Sequence, residues 1–433
     1  MKRQVLVMTA ILFVFTPSVR AEQEAGDADD LQTLADYLRY AAFNNAGLKA
    51  AFEQWKAAIE EVPQARSLPD PRFTYGYFIE EVETRAGPQR NKFGISQMFP
   101  WFGKIEARTR AAGASAGAAR RRYEAKKLKL FFEVKDAFHE YVYLAKAIEI
   151  AGENLELIED FEQVAMTKYI GAAAGHPDVV RAQVELAKLE DQLRTLEGLR
   201  EPMEAQLNAV LNRKSSVPLP WPAREEIRSV GIDRERIKEL VLARNPELQA
   251  LDFDIESARS RVELAKKNFY PDIGVGVDWI QTDGAIAAGT PDSGKDPVML
   301  TFSLNLPVWR RSYKAAEIQA RAIARKTRLE KTQMENALIA RVARVLYDYE
   351  DSQRKQRLYG DILVPKAKEL IEASESAYQG GTIDFLSLID AQRTLLNFEL
   401  LYERAVTDNR QKLAELEMLV GVELGTAVEI KEK

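Results

Sequence analysis

The chain states one pattern twice, about 200 residues apart, and each statement encloses a strand-sized hairpin between helical runs. Asn45, Leu48, Ala50, Ala58, Val62, Ala65, Pro71 and Gly76 recur without a gap as Asn245, Leu248, Ala250, Ala258, Val262, Ala265, Pro271 and Gly276. A second match, at an offset of 209, sets Tyr169-Ile170-Gly171 against Tyr378-Gln379-Gly380 and Ala182-Gln183 against Ala391-Gln392. The heptad beneath it recurs too: Val179, Ala182, Leu186, Leu189, Leu193 and Leu196 are answered by Leu388, Ala391, Leu395, Phe398, Tyr402 and Ala405. Core-type positions at one spacing predict two halves that fold alike and pack side by side, the product of a tandem duplication.

Residues 1–21 read as a secretory signal: Lys2 and Arg3, an apolar run from Val5 to Phe15, and a small-residue cleavage site at Val19-Arg20-Ala21. The run is interrupted at Thr16-Pro17, short of the roughly 20 apolar residues a spanning helix needs. An exported chain with no other apolar helix could cross a membrane only by β-strands. The sequence has no cysteine, which excludes disulfides, thiolate chemistry and an N-terminal lipid anchor. Its formal net charge of −5, with Lys/Arg interspersed among Asp/Glu, disfavours nucleic acid as a partner.

An acidic segment, expected to be disordered, occupies residues 22–30. The first repeat spans 31–213, with strands expected at about 72–79 and 92–99 and a polar loop from Glu80 to Asn91 between them. A Pro-rich linker or equatorial segment covers 214–230. The second repeat spans 231–422, with strands at about 272–280 and 298–306, and a tail covers 423–433. In the second hairpin Ile273, Val275, Val277 and Trp279 alternate with glycines and Asp278, and Val298, Leu300, Phe302, Leu304 and Leu306 alternate with polar or less bulky residues. One apolar and one polar face on strands of about nine residues fit a transmembrane barrel wall. Four strands cannot close a barrel, so closure requires several chains. Runs from about Lys104 to Tyr169 and from about Ser312 to Tyr378 hold no proline but Pro365 and read as helices reaching roughly 100 Å. Each turns back at a Gly-rich tip.

The ordered set of helix, hairpin, helix, Tyr-x-Gly tip and Ala-Gln, twice over, resembles the TolC-type outer-membrane factors of efflux and export systems. The strand exit Ile95-Ser-Gln-Met-Phe-Pro-Trp-Phe-Gly-Lys104 is most similar to the CzcC-like heavy-metal efflux branch. The resemblance implies a mainly α fold with a transmembrane β part: a homotrimer whose twelve strands form an outer-membrane barrel continuous with a periplasmic α-barrel of coiled-coil helices. It also implies docking onto a periplasmic adaptor and an inner-membrane pump of the RND type, with the protein as a passive conduit. The cargo would be small solutes, heavy-metal cations among them.

Gly171, Gly175, Gly380 and Gly381 are the candidate tip residues, since they permit the positive φ of a tight reversal and let another backbone approach; they read as plain turns or as turns that also dock the adaptor. Asp384 and Asp390 stand where the resemblance places carboxylates that narrow the aperture, and three symmetry copies would make an anionic ring. Their first-half counterparts differ: Arg181 answers Asp390, and Asp178 answers Ser387. Trp101, Trp279 and Trp309, at strand ends or just beyond, are candidate interfacial anchors. His139 and His176 have no partner at ligand spacing, so no metal site and no cofactor are expected. Nucleophile elbows, zinc-binding His-Glu-x-x-His and phosphate-binding glycine loops are absent, which speaks against an enzyme. Two other readings stay open: a soluble periplasmic coiled-coil adaptor or scaffold, and the duct of a polypeptide secretion system.

Overall fold

The computed structural model describes residues 31–223 and 231–424. The expected signal segment (1–21), the acidic start (22–30), residues 224–230 of the linker and 425–433 of the tail lie outside the described residues.

Two short helices, α1 (Leu34–Asn44) and α2 (Ala46–Arg66), lead into strands β1 (Arg72–Thr84) and β2 (Gly87–Phe99). The 67-residue α3 (Lys104–Ile170) follows and spans about 100 Å at 1.5 Å per residue. The chain returns through α4 (His176–Gly198) and α5 (Arg200–Leu211). The order then repeats: α6 (Arg234–Arg244), α7 (Pro246–Lys267), β3 (Ile273–Thr282), β4 (Val298–Leu304), α8 (Arg310–Arg357), a π turn (Leu358–Leu363), α9 (Val364–Gln379) and α10 (Phe385–Val420). No helix of the described residues is long and apolar enough to cross a membrane.

The duplication is visible atom by atom. Asn45 and Asn245 each break the chain between two helices, and each side chain accepts a hydrogen bond from the Leu three residues on, at 2.9 and 3.1 Å. Each also donates across the fold to a carbonyl of the returning helix, Val210 or Leu419, both at 2.9 Å. Leu48, Val134, Phe138, Tyr141, Leu207 and Leu211 lie in the core of the first repeat. Their counterparts Leu248, Val342, Leu346, Tyr349, Leu416 and Val420 form the core of the second. A third core joins the repeats near the tips, where Phe161 and Ala182 pack with Tyr378, Phe385 and Leu388.

The two hairpins form one antiparallel sheet in the order β1-β2-β3-β4. Its rows alternate strictly: Tyr75, Phe93, Trp279 and Val298 lie in one register row, and Thr74, Gly94, Asp278 and Met299 in the next. Phe73, Tyr75, Val277, Leu300 and Phe302 project from one face and are exposed. The opposite face is mostly small or polar, with Met98, Ile280 and Met299 among it; there Asp278 accepts from Thr301 Oγ1 at 2.8 Å and pairs with Lys92 at 3.3 Å. β1 and β4 are the edges of the sheet.

The first hairpin is longer than its hydrophobic pattern suggests. Residues Glu80 to Asn91, expected as a polar loop, continue both strands to a two-residue turn at Arg85-Ala86, with an irregularity between Tyr77 and Val82. Beyond the apolar band both faces of a strand meet water, so alternation vanishes while the ladder continues. Arg90 bridges Glu81 and Asp283 at 2.7 and 2.8 Å, tying this polar extension to the second hairpin. β3 likewise runs on to Thr282, whereas β4 ends at Leu304, two residues before Leu306. There Asn305 turns to Asp272, accepting its backbone N–H through the side chain and donating its own backbone N–H to its carbonyl at 3.3 Å.

The described part of the linker is a packed element. Leu219 is buried in the first core, and Trp221 stacks on Tyr141 with centroids 4.8 Å apart. The Arg200 guanidinium lies 4.4 Å over the Trp221 ring.

Candidate functional site: the helical tips

Both long helical arms end in the same hydrogen-bonded turn. In the first, the N–H of Ala172 donates to Tyr169 O at 3.0 Å and that of Ala173 to Lys168 O at 2.8 Å. In the second, Gly381 donates to Tyr378 O at 3.0 Å and Thr382 to Ala377 O at 2.9 Å. This paired 5→2 and 6→1 pattern is the Schellman motif, which needs one left-handed residue after the helix. That residue is Gly381 in the second tip (φ 75°) but Ala172 in the first (φ 57°). Of the four glycines expected to supply a positive φ, only Gly381 does. Gly171 and Gly380 close their helices at φ −77° and −73°, and Gly175 is the N-cap of α4 at φ −86°. Their lack of a side chain therefore leaves room at the tip without serving the reversal.

Asp384 is the N-cap of α10. Its Oδ1 accepts the Ser387 backbone N–H at 3.0 Å and the Ser387 hydroxyl at 2.6 Å. Those bonds, the hydroxyl's foremost, hold its carboxyl below the ordinary range, with Arg181 adding to the effect. Asp390 is exposed and pairs with Arg393 at 3.6 Å. The two aspartates are six residues apart, which is about 120° around a helix, and each has its own partner. Repeat position 175 holds glycine where 384 holds the capping aspartate, so α4 has no side-chain cap.

The residues that couple the two tips escaped the sequence. Arg393 of α10 grips the buried Glu185 of α4 through two hydrogen bonds, at 2.9 and 2.5 Å. Lys168 of α3 donates to the Tyr378 carbonyl, its ammonium 4.4 Å over the Tyr378 ring. Tyr378 is buried against Phe385, and desolvation raises the pKa of its hydroxyl, which has no hydrogen-bond partner among the described residues. Its repeat counterpart Tyr169 is exposed and meets His176 edge to face, 5.5 Å between centroids. These pairs join positions about 210 residues apart, for which periodicity carries no signal. The different fate of two matched tyrosines is the mark of non-equivalent tips.

Trp309 is largely exposed at the start of α8. Trp101 stacks on Tyr270, 5.4 Å between centroids and nearly parallel, and donates its backbone N–H to Asp272 at 2.8 Å. Trp279 lies inside β3 rather than at its end, stacked on Phe93 on the apolar face. His139 is buried with Nδ1 unpartnered; burial, aided by Arg410 and Lys135, takes its pKa down to about 3. Among the described residues no group of three or more His, Cys, Asp or Glu could hold a metal ion.

The family model for the outer membrane efflux protein matches residues 38–213 and 238–422, one match per repeat. Cobalt-zinc-cadmium resistance protein CzcC of Cupriavidus metallidurans is 19% identical over 90% of this chain and 90% of its own length. The pyoverdine export outer membrane protein OpmQ of Pseudomonas putida is 26% identical over 74% of this chain and 66% of its own. An uncharacterised Haemophilus influenzae protein is 20% identical, but over only 46% of this chain and 44% of its own. Among solved structures, the outer-membrane channel OprN superposes with a TM-score of 0.74 at 18% identity, covering 90% of both chains. VceC from Vibrio cholerae gives 0.73 at 18% identity, covering 90% of this chain and 96% of that one. With both repeats matched, the chain belongs to the outer membrane efflux protein family, a family of outer-membrane channels and not of enzymes.

Proposed function

We propose that three copies of this chain close a twelve-stranded barrel in the outer membrane and form the passive exit duct of a tripartite efflux system. The observation that carries this is the open sheet: four strands with unpaired edges, one exposed face dominated by apolar side chains and one mostly small or polar face. Unpaired edges inside a bilayer would leave backbone groups unsatisfied, and only closure with further strands removes them. Twelve strands fall within the range of such barrels and leave a polar interior.

In this reading the tips dock a periplasmic adaptor, which links the duct to an inner-membrane pump of the RND type. Gly171, Gly175, Gly380 and Gly381 offer close backbone approach there, and Asp384 and Asp390 line the narrow end. The likeness to CzcC favours divalent metal cations as cargo, supplied by the pump and not bound by this chain.

The test is the mass of the particle extracted from outer-membrane fractions, corrected for bound detergent. The expected value is that of three chains, released only by detergent. A salt-extractable monomer or dimer would mean that the apolar strand face packs in a soluble core, and would overturn the duct.

A further inference from the structure

Lysine and arginine are interspersed with acids along the sequence, yet the fold gathers five arginines around one recess. Arg110 of α3, Arg259 of α7 and Arg321, Arg325 and Arg328 of α8 line an open cavity of about 610 Å³. The small residues Ser260 and Ala324 are buried among its walls. Two acids, Glu256 and Glu263, also line it. Glu263 is engaged by Lys266 at 2.7 Å, whose hydrogen bond lowers its pKa. The lining therefore carries a formal excess of three positive charges in a chain whose net charge is −5.

Most of the helix surface around the recess is laced by ion pairs, such as Arg110 with Glu106 at 2.8 Å and Arg321 with Glu317 at 2.7 Å. Arg259, Arg325 and Arg328 have no acidic partner among the described residues. Arg325 and Arg328 lie one turn apart on one face of α8, and Arg259 faces them from the neighbouring helix. Like charges gathered without counter-charges repel, and a multivalent anion seated between them reverses the sign of that interaction. Guanidinium groups present paired N–H donors that match phosphate oxygens two at a time, which a spherical ion such as chloride does not exploit.

We infer that this recess is a binding site for a multivalent phosphate-bearing anion. Counted along α3 and α8 from their first residues, it lies about 10 to 25 Å from the sheet. That is deeper than the 5 to 8 Å or so that headgroups add beyond the hydrocarbon, so a water-soluble phosphate compound fits better than a lipid. The site is complete within one chain; the choice of a water-soluble ligand over a lipid rests on the duct reading, whereas the phosphate chemistry of the recess does not.

The full-length protein in detergent, titrated calorimetrically with inorganic pyrophosphate, tests it. The wild type should bind, and the double variant Arg325→Ala/Arg328→Ala should lose about tenfold or more in affinity while keeping its thermal midpoint. Lys326→Ala, which removes a neighbouring charge paired with Glu330 at 3.2 Å and directed away from the recess, should bind as the wild type does. Equal loss in both would show a diffuse charge effect and overturn the site. Native mass spectrometry in nanodiscs containing phosphatidylglycerol supplies the second arm. Lipid retained by the wild type and lost by the double variant, without pyrophosphate binding, would assign the recess to a singly charged lipid phosphodiester and overturn the multivalent ligand. No difference between wild type and double variant in either arm overturns the inference.

Discussion

Ala172 holds φ at 57°, a left-handed conformation that the second tip assigns to Gly381. An L-residue there costs about 1 to 2 kcal/mol from crowding between Cβ and the carbonyl. Glycine would remove that strain but lose more chain entropy on folding, by about 0.5 to 1 kcal/mol. Ala172→Gly should therefore stabilise the first tip by about 0.5 to 1 kcal/mol, measured as slower hydrogen exchange at Ala173 and Ala174, whose amides both close on Lys168 O. Faster exchange would mean that the alanine side chain packs at this turn. The same comparison explains why residue type misled at this site. Glycine abundance marked the tips correctly, but three of the four glycines have ordinary φ. The reversal depends on hydrogen bonds to Lys168 and Ala377 that composition does not encode.

At the level of elements, the first repeat's return helix α4 is tied to the second's α10 by Glu185 and Arg393. The Arg393 guanidinium holds the Glu185 carboxyl below its ordinary 4.5, outweighing burial, which acts the other way. A carboxylate with a depressed folded-state pKa contributes its full stability above about pH 4.5, and that contribution is lost as pH falls through the depressed value. The tips should thus loosen in acid: distances between spin labels placed on α4 and α10 should lengthen and broaden below about pH 4.5, and Glu185→Gln should show the weaker coupling at every pH. Retained coupling down to pH 3 or so in the wild type would show that the apolar contacts of Phe161, Ala182 and Leu388 suffice. The arms also differ from one another. α3 is uninterrupted over 67 residues, whereas α8 and α9 are separated by a π turn in which Gly360 packs against the Tyr402 ring. Pro365, at the start of α9, lacks the N–H that would continue the ladder, so a change of winding is accommodated there. Helix lengths were legible because a helix-favouring, proline-poor composition runs on through such a turn; the turn itself was not.

For the whole molecule, the duct proposal makes Asp384 and Asp390 members of a threefold ring at the narrow end, and their local roles determine how that is tested. Alanine at 384 would remove the cap of α10 together with the charge, confounding folding with permeation. Asp384→Ser with Asp390→Asn keeps a capping oxygen and removes both charges. In planar bilayers this pair should raise conductance and weaken cation preference; unchanged values would take both residues out of the aperture. Glu185 still holds Arg393 in that variant, so the tip core is left intact.

The helix and strand periods and the two-faced strands are written locally, in residues 2, 3 or 4 apart, and the duplication repeats that local text at a fixed offset, which is why fold class and family were readable from the chain alone. The asparagines matched at 45 and 245 turn out to stand at the same interhelical break in each repeat, which the helical pattern running across residue 45 did not show. What depended on distant partners was not readable. The joining of two hairpins into one sheet, the polar continuation of β1 and β2 and the packing of Trp221 all rest on contacts across the fold. So do the Glu185 to Arg393 tie and the convergence of five arginines from three helices. A repeating pattern determines what each element is; only the packed structure decides which side chains meet, because charge and hydrogen bonding act over a few ångströms of space whatever the separation in sequence.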